Sequence, residues 1–256
     1  MPAVVNLSAY RFTPLSELPA LQSRIRAVAT EAGLKGTVLL AAEGINLFVA
    51  GSRAGTDTFV AAVRREPGLA DLAPKESLSD AQPFGRLFVK IKKEIIAFGV
   101  DGLDPARAPA PRLDPRTLKA WLDAGRAVTL LDTRNNYEVA AGTFRGALDP
   151  RIKCFRDFPA ALRTLPPELK QQPVVTFCTG GIRCEKAAPL LQREGFAEVY
   201  QLDGGILKYF EHCGSAHFDG TCFVFDERQT VDGSLSPAPA PATATAPSSV
   251  PAPAAP

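Results

Sequence analysis

Along the first hundred residues, apolar positions alternate between a period of two and a period near 3.6. Residues 4–12 read as a strand. The pair Thr13-Pro14 then opens a helix with proline at its first position. Leu15, Leu18, Leu21, Ile25 and Val28 recur at helical spacing until Gly33 stops them. Residues 37–40 and 45–50 form two short strands joined by a turn at Glu43-Gly44. A second helix covers residues 55–65, with Phe59, Val60 and Val63 on its apolar side, and residues 86–96 read as another strand. The order β-α-β-β-α-β predicts a ferredoxin-like α+β domain over residues 1–101.

Residues 102–112 hold Pro105, Pro109 and Pro111 among alanines and read as a linker. A different pattern fills residues 113–233. Asp114-Pro115 caps a helix carrying Leu118, Trp121 and Leu122, which Gly125 ends. Short apolar strands at residues 128–131, 174–177 and 199–202 alternate with helices at 158–165, 184–194 and 206–211. That alternation predicts an α/β domain with a parallel sheet covered on both faces, and ligands sit outside the carboxyl ends of such strands. Residues 234–256 are mainly Pro, Ala, Ser and Thr and are expected to be disordered or polyproline-like, outside the fold.

The chain has 256 residues and a formal net charge of +2, so global charge selects no partner. No obligate protein partner is evident. No basic segment followed by a long apolar stretch opens the chain, and no apolar run reaches membrane length, so no secretion signal and no membrane contact are expected. Five irregularly spaced cysteines suit reduced thiols in the cytoplasm.

The strongest chemical signal is Cys178-Thr179-Gly180-Gly181-Ile182-Arg183-Cys184, directly after the apolar run 174–177. A thiolate there gains from backbone N–H groups, from a helix N-terminus and from Arg183. Four residues separate Cys178 from Arg183. Thiol-dependent phosphatases leave five, enough for a tetrahedral phosphate, whereas rhodanese-type sulfurtransferases leave four, a cup for one sulfur atom. Cys178 and Arg183 are therefore the candidate catalytic pair, and Thr179, Gly180, Gly181 and Ile182 form the cup. A structural cysteine in an ordinary turn would not call for two glycines and an arginine beside it.

Asp132 and Arg134 follow the strand at 128–131 and should open on the same side as Cys178. They either bond loop backbone or position substrate, or else form an ion pair that stiffens the domain. Cys184 either resolves an oxidised Cys178 or only packs. Cys154 stands among Arg151, Lys153 and Arg156, where a task-free surface thiol is the plainer reading. His212, Cys213, His217 and Cys222 lack the paired spacing of a zinc finger, and no metal is assigned to them.

Strand period two puts Arg86, Phe88, Lys90 and Lys92 on one face. Cations with an aromatic can hold RNA through phosphates and stacking, while lysines also blunt exposed sheet edges. Arg145, Arg151, Lys153 and Arg156 form a second basic group.

The segment from Phe177 to Ala187, Phe-Cys-Thr-Gly-Gly-Ile-Arg-Cys-Glu-Lys-Ala, resembles the signature loop of the TrhO (YceA) family of rhodanese-domain tRNA uridine hydroxylases. Ala42-Glu43-Gly44-Ile45-Asn46, Lys92-Lys93-Glu94-Ile95, the segment 199–207 and the segment 222–228 are similar to other parts of that family. The resemblance runs from about residue 3 to 231. It implies an acylphosphatase-like first domain and a rhodanese-like second domain. It also implies a tRNA substrate modified to 5-hydroxyuridine at the wobble position, molecular oxygen as co-substrate and Cys178 as the essential thiol, by analogy one that forms a persulfide. No flavin or haem motif is visible. The residues alone lead to sulfur transfer, so a thiosulfate or persulfide sulfurtransferase without RNA is one alternative. A non-catalytic tRNA-binding module is another.

Overall fold

The computed structural model describes residues 4–239. Two compact units divide the chain: one runs to Ala97 and includes Asp104–Ala108, and the other comprises Phe98–Leu103 and the chain from Pro109 onward.

The first unit contains β1 (Val4–Phe12), α1 (Leu18–Glu31), β2 (Lys35–Ala41), β3 (Gly44–Gly51), α2 (Arg53–Val63), β4 (Lys75–Ser79) and β5 (Leu87–Ile91). They build a five-stranded sheet in the order β4-β1-β3-β2-β5. The first four strands pair antiparallel, and β5 joins β2 in parallel. Leu21, Ile25 and Ala29 of α1 and Phe59 and Val63 of α2 pack with Leu7, Val38, Leu40, Leu47, Val49 and Val89. Both helices therefore cover the same face of the sheet.

Three sequence expectations change here. The strand that completes the ferredoxin-like order is β4, and β5 is an added fifth strand. The β4 sequence Lys-Glu-Ser-Leu-Ser has no apolar period, Leu78 is 55% exposed, and the ladder to β1 holds the strand. The strand expected over 86–96 stops at Ile91, because the chain turns so that Ile95 can bury. There its N–H donates to Glu43 Oε1 at 2.7 Å and its carbonyl accepts from Asn46 Nδ2 at 3.1 Å. Helix α1 starts at Leu18 rather than at Pro14. The Thr13 and Leu15 N–H groups donate to Glu43 O and Ala42 O, which ties this segment to the β2–β3 turn, and Glu17 turns the chain at φ 48°.

The second unit contains β6 (Arg112–Leu113), α3 (Pro115–Asp123), β7 (Thr129–Asp132), α4 (Asn136–Val139), β8 (Gly142–Phe144), α5 (Phe158–Leu162), β9 (Pro173–Phe177), α6 (Cys184–Arg193), β10 (Glu198–Leu202), α7 (Gly205–Cys213), β11 (Phe218–Gly220), β12 (Cys222–Phe223) and β13 (Thr230–Val231). The main sheet, β6-β10-β9-β7, is parallel throughout. Arg112, assigned to the linker by composition, pairs with Gln201 in β6 instead. Asp114 caps α3 by accepting the N–H groups of Arg116 and Thr117. Leu118, Leu130, Val175, Phe177, Leu202, Ile206 and Tyr209 form the core with Cys222, Val224 and Val231. That core reaches into the β12–β13 hairpin.

The fold also runs past residue 233. Ala238 N–H donates to Thr230 O, Val231 bridges Pro237, and Asp232 Oδ1 accepts from the Ser234 and Ser236 N–H groups. The first residues of the expected disordered tail are thus hydrogen-bonded to β13 and its turn. Residues 240–256, the rest of that expectation, lie outside the described residues. No described helix is long and apolar enough to cross a membrane.

Candidate active site

Strands β7 and β9 are parallel neighbours in register, with Asp132 opposite Phe177. The residues after each strand therefore emerge side by side at one end of the sheet. Cys178 is the first residue beyond β9. Its Sγ accepts the Gly181 N–H at 3.1 Å, and Gly181 takes φ 98°, a conformation glycine supplies without strain. The four-residue loop closes into α6, whose first residue is Cys184.

Two elements distant in sequence fix this loop. From α4, Glu138 binds Arg183 with both oxygens, Nη1 to Oε2 at 2.5 Å and Nη2 to Oε1 at 2.7 Å. Glu138 is fully buried and Arg183 nearly so. Thr179 Oγ1 lies 3.3 Å from both Glu138 Oε1 and Phe223 O. From the start of α7, the Ile206 N–H donates to Cys178 O at 2.9 Å and the Leu207 N–H to Thr179 O at 3.1 Å. Gly205 makes that approach possible, because a Cβ there would stand 2.4 Å from Cys178 O. The Phe225 ring lies 5.8 Å from the Arg183 guanidinium.

Cys178 is fully buried. Burial by itself pushes its thiol up. The hydrogen bond from Cys184, the Arg183 cation and the N–H groups of Arg183 and Gly181 outweigh that and hold Cys178 well below the ordinary thiol value. Cys184 moves the other way, pushed up by its own burial and by the hydrogen bond and charge of Cys178, so it remains a protonated donor. Thr133 Oγ1 stands 3.8 Å from the Cys184 sulfur. The arrangement is one thiolate in a cup of N–H, S–H and guanidinium donors.

Asp132 and Arg134 are brought to this end of the sheet but face inward. Both are completely buried, and Arg134 Nη2 binds Asp132 Oδ2 at 2.6 Å. Arg134 also donates to Gly142 O and Glu138 O, and Thr143 Oγ1 donates to Asp132. The pair braces α4 and β8 beneath Glu138. Of the two readings open from sequence, the stiffening ion pair is the one these contacts describe. Ile182 is buried and Gly180 half-buried in the loop.

Arg86, Lys90 and Lys92 belong to the first unit. The Arg86 guanidinium and Lys90 ammonium lie 5.1 Å and 4.7 Å from the Phe88 ring centre, and the Lys92 N–H donates to Leu40 O. Cys154 is exposed, as are Arg151, Lys153 and Arg156. His212 Nδ1 lies 3.3 Å from Arg116 and His217 Nε2 lies 2.7 Å from Asp123. Among the described residues no group of three or more His, Cys, Asp or Glu gathers as a metal site.

Glu138 is the residue that the sequence did not single out. Its signal was present, as an acid placed to follow the Asp-Thr-Arg turn at the start of a helix, but only the fold brings it to Arg183 across 45 positions.

Residues 4–95 match the UPF0176 acylphosphatase like domain, and residues 114–212 match the Rhodanese-like domain. A protein of Bordetella petrii named tRNA uridine(34) hydroxylase is 54% identical over 243 residues, which cover 93% of this chain and 96% of that protein. One of the same name from Ralstonia nicotianae is 52% identical, covering 92% of this chain and 85% of that protein. A third, from Burkholderia mallei, is 49% identical over 98% of this chain and 87% of its own length. Two domains in this order, and close identity along nearly all of the chain, show that it belongs to the tRNA uridine(34) hydroxylase family.

Proposed function

We propose that this chain hydroxylates the wobble uridine of tRNA to 5-hydroxyuridine, with Cys178 as the reacting thiol and molecular oxygen as co-substrate. The family relationship supports the substrate and the reaction. The observation that carries the chemistry is the depressed, donor-surrounded sulfur of Cys178. Uracil is electron-poor at C6, where a thiolate adds. C5 then gains enolate character and reacts with dioxygen. One oxygen atom stays as the C5 hydroxyl. The other leaves as water on uptake of two electrons and two protons, the electrons coming from an external thiol reductant, and loss of the C5 proton with expulsion of the Cys178 thiolate restores the C5–C6 double bond. Arg183 and the loop N–H groups keep the sulfur ionised before attack and stabilise it again as leaving group.

The burial of Cys178 favours a second form of the same residue. A persulfide would place the reactive sulfur about 2 Å further out, and the four-residue loop is sized for one such atom. Mass spectrometry of the purified protein would then show one added sulfur, lost on treatment with reductant.

Nucleoside mass spectrometry of tRNA tests the proposal. Purified wild type with oxygen and reductant is expected to form 5-hydroxyuridine, and Cys178→Ala is not. Full hydroxylation by Cys178→Ala would overturn the role of the thiol. Thiosulfate-to-cyanide transfer without any nucleoside product would favour a plain sulfurtransferase.

A further inference from the structure

Cys178 is fully buried, so a tRNA base has to leave its stack to reach it, while the ribose and phosphates stay outside at the end of the sheet. Residues 149–157 stand at that end. Leu148 makes a parallel bridge to Leu131, and Leu131 pairs with Thr176 of β9. The three residues lie in one row, and the chain leaves Leu148 toward the side that carries Cys178. Two strand spacings, roughly 10 Å, separate Leu148 from Thr176. Pro150 lies as far past that row as Cys178 does.

The segment is anchored from beneath. Ile152 and Phe155 are buried, and the Phe155 ring stacks on Phe98 with centres 4.6 Å apart. The Ile152 carbonyl accepts the Asn136 N–H at 2.8 Å, which ties the segment to α4 and so to the helix of Glu138. Beside these anchors Arg151, Lys153 and Arg156 are exposed. None of the three has an ion pair among the described residues. The acids of the segment face its own backbone: Asp149 Oδ1 accepts the Arg151 N–H at 2.7 Å, and Asp157 Oδ2 accepts the Cys154 N–H at 3.1 Å. Arg145, the other cation of this group in sequence, stands 4.0 Å from Asp219 instead.

Arg151 adopts φ 55°, a left-handed conformation that strains a residue other than glycine. Such strain persists where a side chain has a task. Glycine would sit there without cost, yet the position carries a long, exposed cation.

We infer that residues 149–157 form a phosphate-binding ledge, on which Arg151, Lys153 and Arg156 hold the RNA backbone beside the target nucleotide while its base enters the thiol cup. The inference rests on the tRNA reading above and names the residues that hold that substrate. Phosphate contacts fix the register of a nucleic acid without reading its sequence. Cations on a braced segment near the cup therefore favour an RNA chain over a free nucleoside.

Its test is binding of an unmodified tRNA transcript, and of the anticodon stem-loop alone, to the full chain at several salt concentrations. The triple variant Arg151→Gln, Lys153→Gln, Arg156→Gln is expected to weaken both about tenfold and to lower the slope of log K against log salt by about 0.7 for each cation removed. In turnover it raises KM for tRNA and leaves kcat in place. Arg151→Gly removes the strain together with the charge, so it is expected to melt no lower than wild type and still bind tRNA less tightly. Arg163→Gln, which neutralises an exposed cation on the crossover between α5 and β9, leaves binding unchanged.

Variants that melt like wild type and keep its affinity and salt slope would overturn the inference while leaving hydroxylation intact. A loss seen with whole tRNA and not with the stem-loop would overturn the placement beside the target nucleotide. A fall in kcat at constant KM would make the segment a brace of the cup and overturn the binding role. Wild type that binds through these cations but yields no 5-hydroxyuridine would support the ledge and sink the hydroxylase reading instead.

Discussion

Glu138 and Arg183 neutralise each other where water does not reach. Replacing the carboxylate by an amide leaves the buried Arg183 with the Cys178 thiolate as its remaining counter-charge, at a cost below the roughly 3–5 kcal/mol of a buried charge left wholly unpaired. Glu138→Gln is therefore expected to lower the melting temperature and, because Arg183 then shifts, to slow hydroxylation. A thermal melt beside a turnover assay would read both. Cys184 makes a sharper test, because its thiol donates to Cys178. With Cys178 as the proposed reacting ion, its depressed pKa keeps it ionised as pH falls below the ordinary thiol range near 8.5. The acid limb of the kcat/KM profile should lie below that range in wild type. Cys184→Ala removes a donor, so the limb should move to higher pH, and Cys184→Ser should move it back. A limb unmoved by either change would assign Cys184 to packing alone. Cys178 and Arg183 were legible because a strand, a glycine pair and a fixed count lie within a few positions. Glu138 was not, since an acid early in a helix looks like any surface acid until a strand from elsewhere is laid beside it.

The elements around the thiol are set by backbone chemistry as much as by side chains. Gly204 and Gly205 both adopt positive φ, and Gly205 lets α7 press its first N–H groups onto the carbonyls of Cys178 and Thr179. An added methyl at Gly205 would meet Cys178 O at 2.4 Å, Gly181 N at 2.8 Å and Thr179 O at 2.8 Å. Gly205→Ala is thus expected to cost about 1–3 kcal/mol and to displace the cup. Activity should fall further than stability, which unfolding in urea and turnover measured on one sample would separate. Elements with a strong period were readable from sequence, including β1, β3, α2 and β9. Those held mainly by ladders were not. Strand β4 is polar and survives through its pairing with β1, and β6 is two residues long, paired to β10. The start of α1 was misread because Pro14 looks like a helix opener, while the carbonyls of Ala42 and Glu43 claim the N–H groups around it.

At the scale of the whole molecule, each unit has its own hydrophobic cluster. The single tryptophan, Trp121, sits on α3 in the second unit, edge-on to Tyr200 and 3.7 Å from the Arg126 guanidinium. Its fluorescence reports that unit alone. Phe59→Ala empties a fully buried position of the first unit, at a cost of about 3–5 kcal/mol. It is expected to shift the far-ultraviolet circular dichroism transition and to leave the tryptophan transition where it was. Coincident shifts would mean that the two cores melt as one. The division into two folds was readable because the periodicity changes between them. The ordered turn at residues 234–238 was not, because serine and proline there mimic a solvated tail. The cysteines also differ in exposure: Cys154 is open to solvent, Cys213 partly covered, and Cys178, Cys184 and Cys222 enclosed. A bulky disulfide such as oxidised glutathione would consequently cap Cys154 first and spare Cys178, so thiol stress would leave a mixed disulfide on this protein with the sulfur of the cup still reduced.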